Sequence, residues 1–73
     1  MTQIERIDKY IKDFGSITGY ECVVDLGILK FSARLSEMTQ RGYPLESKWE
    51  KSKNRYGDTV RYKRYFYYED RIT

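Results

Sequence analysis

The sequence predicts a single α+β domain with three helices followed by a β-hairpin, and a short extended segment between the first two helices. Apolar residues recur at helical spacing in the first half of the 73-residue chain and at a spacing of two after Leu45. Two T-x-x-E motifs mark helix starts, and a glycine follows each predicted helix. We expect one domain at residues 1–69 and a frayed tail at 70–73.

The first helix is predicted at about residues 3–14. Thr2 and Glu5 form a capping box, in which each side chain accepts a hydrogen bond from a free backbone N–H of the first turn. Gly15 suits the left-handed position that ends a helix. Helical spacing predicts one apolar stripe, formed by Ile4, Ile7, Ile11 and Phe14.

The second helix is predicted at about residues 19–26, after a short extended segment whose Ile17 faces the interior. Thr18 and Glu21 repeat the capping-box pattern and mark its start. In the tight turn that follows, Ile28 should fill the space between two helices. The apolar residues of the second helix are Cys22, Val23 and Leu26.

The third helix is predicted at about residues 30–41, ending at Gly42. Its packing side should consist of Phe31, Leu35 and Met38. The side left to solvent should carry Lys30, Ala33, Arg34, Glu37 and Gln40.

A hairpin is predicted at about residues 44–68, where the apolar period changes from helical to two. Its first strand should place Leu45, Ser47 and Trp49 on one face and Glu46, Lys48 and Glu50 on the other. The segment K-N-R-Y-G-D-T supplies the loop. The aromatic residues expected to pack against the third helix are Tyr43, Trp49, Tyr62 and Tyr65. The inward or outward phase of residues 65–68 stays open, because a bulge would change it.

This order of elements is that of a winged helix-turn-helix, in which the hairpin is the wing. A tight glycine turn holds the second and third helices at a steep angle. The third helix can then enter a major groove of DNA while the wing lies along the backbone or the minor groove.

Three segments also carry a resemblance to a known family: E-R-I-D-K-Y-I-K-D-F-G-S-I-T, L-G-I-L-K-F-S-A-R-L-S-E-M-T-Q-R-G-Y-P-L and K-N-R-Y-G-D-T-V-R-Y-K-R-Y-F-Y. Together they resemble small winged helix-turn-helix domains common in bacteriophages and prophages, over residues 2 to about 68. The resemblance implies a double-stranded DNA-binding protein of phage or prophage type. Its role would be transcriptional regulation or another DNA transaction in the cytoplasm of a bacterial host.

Positive charge is concentrated at the C-terminal end of the chain. Residues 1–46 hold six basic and seven acidic side chains, whereas residues 47–73 hold eight basic and four acidic ones. The net charge of +3 therefore comes from the region of the hairpin. A local basic region of this kind indicates a polyanionic partner.

The candidate DNA-binding residues of the third helix are Lys30, Ser32, Ala33, Arg34, Glu37 and Gln40. Arg34 either reads guanine through a bidentate contact or bridges to Glu37 or to an acidic residue of the second helix. Lys30 is expected to touch phosphate, because lysine acts as a mobile point charge. Ser32 and Ala33 are small enough to let the helix approach DNA closely.

The candidate DNA-binding residues of the wing are Lys51, Lys53, Asn54, Arg55, Tyr56, Arg61 and Lys63. Arg55 at the tip is expected to enter a narrow minor groove. Tyr56 either contacts the sugar–phosphate backbone or caps the turn. We expect Arg61, Lys63 and Arg64 to line one outer face.

No catalytic, metal or cofactor site is predicted. The chain has no histidine and one cysteine, which excludes histidine acid–base chemistry, a Cys/His zinc site and an intrachain disulfide. No glycine-rich phosphate loop is present. No apolar run approaches the roughly 20 residues of a membrane span. We therefore expect a cytoplasmic binding protein that is neither an enzyme nor a membrane protein.

Two alternatives to duplex DNA binding stay open. A winged helix with an exposed Tyr/Arg hairpin also suits a protein partner, for example as a phage inhibitor of a host enzyme or defence complex, in the manner of an anti-CRISPR. Tyrosines interleaved with cations also suit single-stranded nucleic acid. A homodimer is a further open possibility, since one such module buries little surface on DNA.

Overall fold

A computed structural model describes residues 1–68, and the predicted frayed tail at 70–73 lies outside the described residues. Three helices accompany one three-stranded antiparallel sheet. The elements in chain order are α1 (Gln3–Phe14), β1 (Ile17–Thr18), α2 (Gly19–Leu26), α3 (Phe31–Gln40), β2 (Leu45–Lys53) and β3 (Thr59–Tyr67). This arrangement confirms the predicted α+β winged-helix fold.

Both predicted capping boxes are formed. At the start of α1, Thr2 Oγ1 accepts from the Glu5 N–H at 3.1 Å, and Glu5 Oε1 accepts from the Thr2 N–H at 2.8 Å. The reciprocal bonds of Thr18 and Glu21 at the start of α2 measure 3.1 and 3.0 Å. Each box satisfies two backbone N–H groups that have no partner within the helix.

The end of α3 sets the direction in which the chain enters the hairpin. Gly42 has φ of 92°, in the left-handed region. Its N–H donates to the Thr39 carbonyl at 3.1 Å, and the Tyr43 N–H donates to the Met38 carbonyl at 3.0 Å. This pair of bonds is a Schellman motif, which needs a residue that tolerates positive φ.

The core lies where the three helices meet the base of the sheet. Its buried apolar residues are Ile4, Ile7, Ile11, Ile17, Cys22, Ile28, Leu35 and Met38. Ile17 and Ile28 are fully buried, as predicted. Burial also raises the pKa of the Cys22 thiol to about 11.

Tyr10 joins α1 to α2 by donating to Asp25 Oδ2 at 2.6 Å, and this bond raises the pKa of Tyr10 to about 12.

Two apolar residues of the predicted helices lie outside the core. Phe14, the last residue of α1, is 71% exposed although helical pitch places it only about 20° around the axis from the buried Ile7, so its position at the helix end and not its angle exposes it. Its ring instead lies 4.7 Å from that of Tyr10, centroid to centroid. Val23 is 40% exposed, since α2 turns Cys22 toward the helices and leaves the neighbouring position facing outward.

The sheet has the order β1-β3-β2, so β3 is the central strand. Leu45 lies opposite Tyr67 and Lys53 opposite Thr59, and on the other side of β3 Ile17 lies opposite Tyr65. This unbroken register settles the phase that the sequence left open. Tyr65 and Tyr67 turn toward the core.

The inward tyrosines join the sheet to two helices. The Tyr65 ring meets Phe31 edge to face at 5.5 Å, at the first residue of α3. The Tyr67 hydroxyl donates to Asp8 Oδ1 of α1 at 2.6 Å. Burial and this hydrogen bond raise the pKa of Tyr67 above its ordinary value.

Two aromatic residues predicted to pack on α3 do not do so. Trp49 is 64% exposed, because its cross-strand partner is Lys63, one pleat beyond Tyr65 and outside the reach of the helices. Tyr62 lies on the opposite face of β3 from Tyr65, since the two are three positions apart and alternate residues share a face. Of the predicted group, Tyr43 and Tyr65 pack against the core.

We expect Thr18→Ala to lower the free energy of unfolding by about 1 kcal/mol or more. Thr18 is 3% exposed, so water cannot readily replace the lost hydroxyl at the Glu21 N–H. Urea denaturation measures the change. Thr18→Ser keeps the hydroxyl and should retain most of the stability. Equal or greater destabilisation by Thr2→Ala, at the exposed cap of α1, would contradict this account.

Candidate nucleic-acid interface

The hairpin has two chemically different faces beyond the core. Residues directly opposite each other across an antiparallel pair share a face, and alternate residues of a strand do so too. One face carries Lys51, Lys53, Arg61 and Lys63, which we call the basic face. The opposite face carries Lys48, Glu50, Ser52, Val60, Tyr62 and Arg64.

The basic face holds like charges in direct opposition. Lys51 lies across from Arg61, a cross-strand pair that repels. All four of its cations are exposed, and no ion pair within residues 1–68 involves any of them. Such an arrangement costs folding free energy, and a polyanion lying on this face would relieve the repulsion.

Trp49 extends the basic face toward the core. The Lys63 ammonium lies 5.2 Å from the centroid of the Trp49 ring, within cation–π range. Sequence reasoning placed Trp49 in the core and missed this role. The alternation of Trp49 with Lys51 along one strand was the available signal.

The start of α3 lies on the same side of the sheet as the basic face. Tyr65 shares a face of β3 with Lys63 and Arg61, and its ring contacts Phe31. The wing cations and the N-terminal end of α3 therefore lie on one side of the sheet, and their joint use in an interface stays a prediction.

The wing tip is organised by Asn54. Its Oδ1 accepts from the backbone N–H groups of Tyr56 at 2.9 Å and Asp58 at 3.0 Å. The predicted DNA-binding role of Asn54 therefore competes with a role in shaping the turn, which Gly57 completes at φ of 85°. Arg55 and Tyr56 project from this turn, and the Tyr56 ring is 85% exposed.

The outward side of α3 carries small, uncharged side chains. Its exposed residues are Ser32, Ala33, Ser36, Thr39 and Gln40. Ser36 and Thr39 were absent from the predicted set, because short hydroxyl side chains give no distinctive sequence signal. Lys30 is exposed one residue before the helix begins, where its side chain makes no capping bond.

Arg34 does not project freely, contrary to its placement on the solvent face. Its side chain is 29% exposed, and its Nε lies 3.6 Å from Glu37 Oε1. That Nε is buried and has no hydrogen-bond partner within residues 1–68. The i,i+3 pairing considered from sequence is therefore present, although it leaves one buried donor unsatisfied.

Arg64 does not line an outer face with Arg61 and Lys63. Adjacent residues of a strand point to opposite faces, so Arg64 turns toward α2 while Lys63 turns away. Its Nε donates to Glu50 Oε1 at 2.9 Å, and its Nη1 donates to Ser16 Oγ at 3.1 Å and to Glu21 Oε1 at 3.3 Å. The bond to Glu50 is the largest cause of a raised pKa at Arg64, and Glu21 adds to it.

The part of the chain that the structure describes has neither a metal-binding cluster nor a helix suited to crossing a membrane. No cluster of three or more His, Cys, Asp or Glu side chains suited to a metal ion occurs within residues 1–68. None of the helices there combines the length and the apolarity that a membrane crossing requires.

Comparison with known proteins agrees with the geometry. The sequence model of one family, described as a winged helix-turn-helix domain, matches residues 2–69. No curated protein and no solved structure matches the chain.

We expect the free energy of unfolding of the Glu50→Gln variant to fall less than that of the parent protein as the pH is lowered. Arg64 lowers the pKa of Glu50 below its usual 4.5, chiefly through their hydrogen bond. The pair therefore stabilises the fold above that ordinary value and loses its contribution as pH falls through the lower, folded value.

Urea denaturation between about pH 7 and about pH 3 tests this linkage. The variant should be less stable than the parent at neutral pH and converge on it in acid. Glu46→Gln is the matched control, because Glu46 lies exposed on the same face of β2. Indistinguishable profiles for the two variants would contradict the proposed linkage.

Proposed function

Because the chain belongs to the winged helix-turn-helix family, we propose that it binds double-stranded DNA. In this proposal α3 enters the major groove and the basic face of the hairpin follows the phosphate backbone. The observation that carries the proposal is the opposition of Lys51 and Arg61, neither of which forms an ion pair within residues 1–68. A basic surface that is strained in isolation gains free energy when phosphates approach it.

The outward row of α3 suits close approach to base edges. Small side chains such as Ala33 and Ser36 allow the helix backbone near the groove floor, and serine hydroxyls bond to either bases or phosphates. Gln40 is the longest residue of the row, and its amide pairs best with adenine. Arg34 would have to give up Glu37 to read guanine, so we assign base reading first to Gln40.

The wing tip supplies a second contact. Arg55 and Tyr56 are exposed on a turn that Asn54 holds in shape. A guanidinium on such a tip suits a narrow minor groove, where the negative potential is strongest. Tyr56 then contacts the sugar–phosphate backbone beside it.

The resemblance to phage and prophage domains supports a biological role. We place the protein in the cytoplasm of a bacterial host, as a transcriptional regulator or as an accessory factor in another DNA transaction. On this proposal it is a binding module and not an enzyme, and it works without a cofactor. One module of this kind buries only about 600–1,000 Å² of protein surface on DNA, so useful specificity requires a second copy or tandem sites.

One observation favours a protein partner as the second candidate. The outer side of α2 and the turn after it expose three apolar residues, with Tyr20 at 77%, Val24 at 58% and Leu29 at 80%. Tyr20 also borders a groove of about 680 Å³ between α2 and the hairpin, lined in part by Tyr62 and Arg64. Binding to single-stranded nucleic acid has less support, because Tyr65 and Tyr67 pack against the core and are not free to stack on bases.

We expect the double variant Lys51→Ala, Arg61→Ala to weaken binding to all duplexes alike. If the four cations of the basic face each neutralise one phosphate, log K falls against log[salt] with a slope of about −3.6, and the variant's slope is shallower by about 1.8. Fluorescence anisotropy over a salt series measures both. Lys48→Ala removes a cation from the opposite face of the same hairpin and is the matched control.

Three outcomes of that experiment separate the candidate functions. Duplex preference with a steep salt slope supports the proposal. Tighter binding to single strands favours the third candidate. If no DNA binds below about 10 μM at low salt, the DNA proposal fails, and the α2 surface becomes the leading interface.

We expect Gln40→Ala and Arg34→Ala to differ in their effects on sequence preference. Gln40→Ala should relax discrimination at one adenine by about 1–3 kcal/mol. Arg34→Ala should leave the preferred sequence unchanged and alter stability, because it removes the pairing with Glu37. Competitive binding to a randomised duplex library measures both preferences. Loss of a preferred guanine in Arg34→Ala would instead assign base reading to Arg34.

A further inference from the structure

An apolar groove of about 330 Å³ lies between α1 and the C-terminal end of α2. Its apolar lining comes from Met1, Tyr10, Phe14 and Leu26. Charged side chains border it, namely Arg6, Lys9, Asp13 and Asp25. None of these residues belongs to α3 or to the hairpin.

The apolar lining is unusually accessible for residues of its size. Met1 is 74% exposed and Phe14 is 71% exposed. Phe14 lies against Tyr10, whose hydroxyl is held by Asp25 at 2.6 Å, so the aromatic pair is fixed in place. An exposed phenylalanine packed on a half-buried tyrosine, with a charged border, is typical of a protein contact surface.

The charges that border the groove change from positive to negative along α1, which suits a second copy of α1 as the occupant. Arg6 stands near the start of α1 and Asp13 near its end. Lys9 pairs with Asp13 at 3.2 Å across an exposed surface, whereas Arg6 has no ion pair within residues 1–68. A second α1 running antiparallel would place its Asp13 near Arg6, and the symmetric pair would form at the same time.

We propose that two copies of this chain associate through this groove, with their α1 helices antiparallel. Phe14 and Met1 of each copy pack into the groove of the other, and Arg6 of each pairs with Asp13 of the other. Such a two-fold interface is self-complementary, because the same residues supply both halves. The argument for association does not depend on DNA binding.

The consequence for DNA binding does rest on the proposed function. None of the residues that line the groove belongs to α3 or to the hairpin, so contact through the groove does not use the residues assigned to DNA. The dimer would then present two reading helices to a pair of related half-sites.

Because α1 is only about 18 Å long, the interface is smaller than the roughly 800 Å² per partner of stable complexes, and association should be weak.

Sedimentation equilibrium of the protein alone tests the proposal. We expect association that becomes measurable below about 1 mM, and Phe14→Glu should weaken it by at least about tenfold. Phe14 is exposed, so this variant should fold, which circular dichroism verifies. Tyr56→Glu is the matched control, because it places the same charge on an exposed aromatic residue of the wing tip.

Charge exchange tests the antiparallel geometry. Arg6→Asp and Asp13→Arg should each weaken association by roughly threefold to thirtyfold, because symmetry breaks two pairs at once. The two changes in one chain should restore it. Failure of the double variant to recover overturns the antiparallel arrangement.

Two further outcomes overturn the self-association surface itself. One is a wild-type chain that stays monomeric at about 1 mM. The other is association that survives Phe14→Glu but is lost in Tyr20→Glu, which would place the contact on α2. No DNA is present in these measurements. A failure to bind duplex DNA therefore does not affect the self-association measurements. A protein that is monomeric and still binds DNA would contradict the proposed dimer but not the proposed function.

Discussion

The guanidinium of Arg64 joins parts of the molecule that the backbone connects only weakly. From the central strand it bonds Glu50 on β2, Glu21 on α2 and Ser16 in the loop before β1. Glu21 also closes the capping box of α2, so one carboxylate serves both the helix start and the attachment of the hairpin. β1 pairs with β3 at only two positions. These hydrogen bonds therefore help to fix the orientation of the wing relative to the helices.

That orientation divides the hairpin into an anchoring face and a free face. Arg64 and Glu50 hold one face near α2, which leaves Lys51, Arg61 and Lys63 on the side where α3 begins. The division follows from the alternation of side chains along a strand, given the register. If the register of β3 shifted by one residue, its side chains would exchange faces, and Arg64 would point into solvent.

Much of the fold was predictable because its signals are local. The two capping boxes, the isoleucines of α1 and the glycines after the helices each depend on residues within a few positions of one another. Phe14 and Trp49 were assigned to the core wrongly for one shared reason. Each continues an apolar pattern past the point where a neighbouring element ends, and only the three-dimensional arrangement shows where that point lies.

The candidate site was less predictable than the fold. The wing cations were identified from composition, but Lys63 and Arg64 were assigned to one face although they are adjacent and must point apart. The partners of Arg64 are distant in sequence, so no spacing rule would have found them. On α3, the charge of Arg34 suggested a DNA contact, whereas the exposed Ser36 and Thr39 gave no such signal.

The central position of β3 has a consequence for how the chain folds. Ile17 pairs with Tyr65, and the Arg64–Ser16 hydrogen bond spans 48 positions of sequence. Closing such a long loop is entropically costly, and proteins dominated by distant contacts fold more slowly than those built from local ones. During synthesis the three helices leave the ribosome before the strand that completes their core. The domain should therefore fold in one late step, after β3 has emerged.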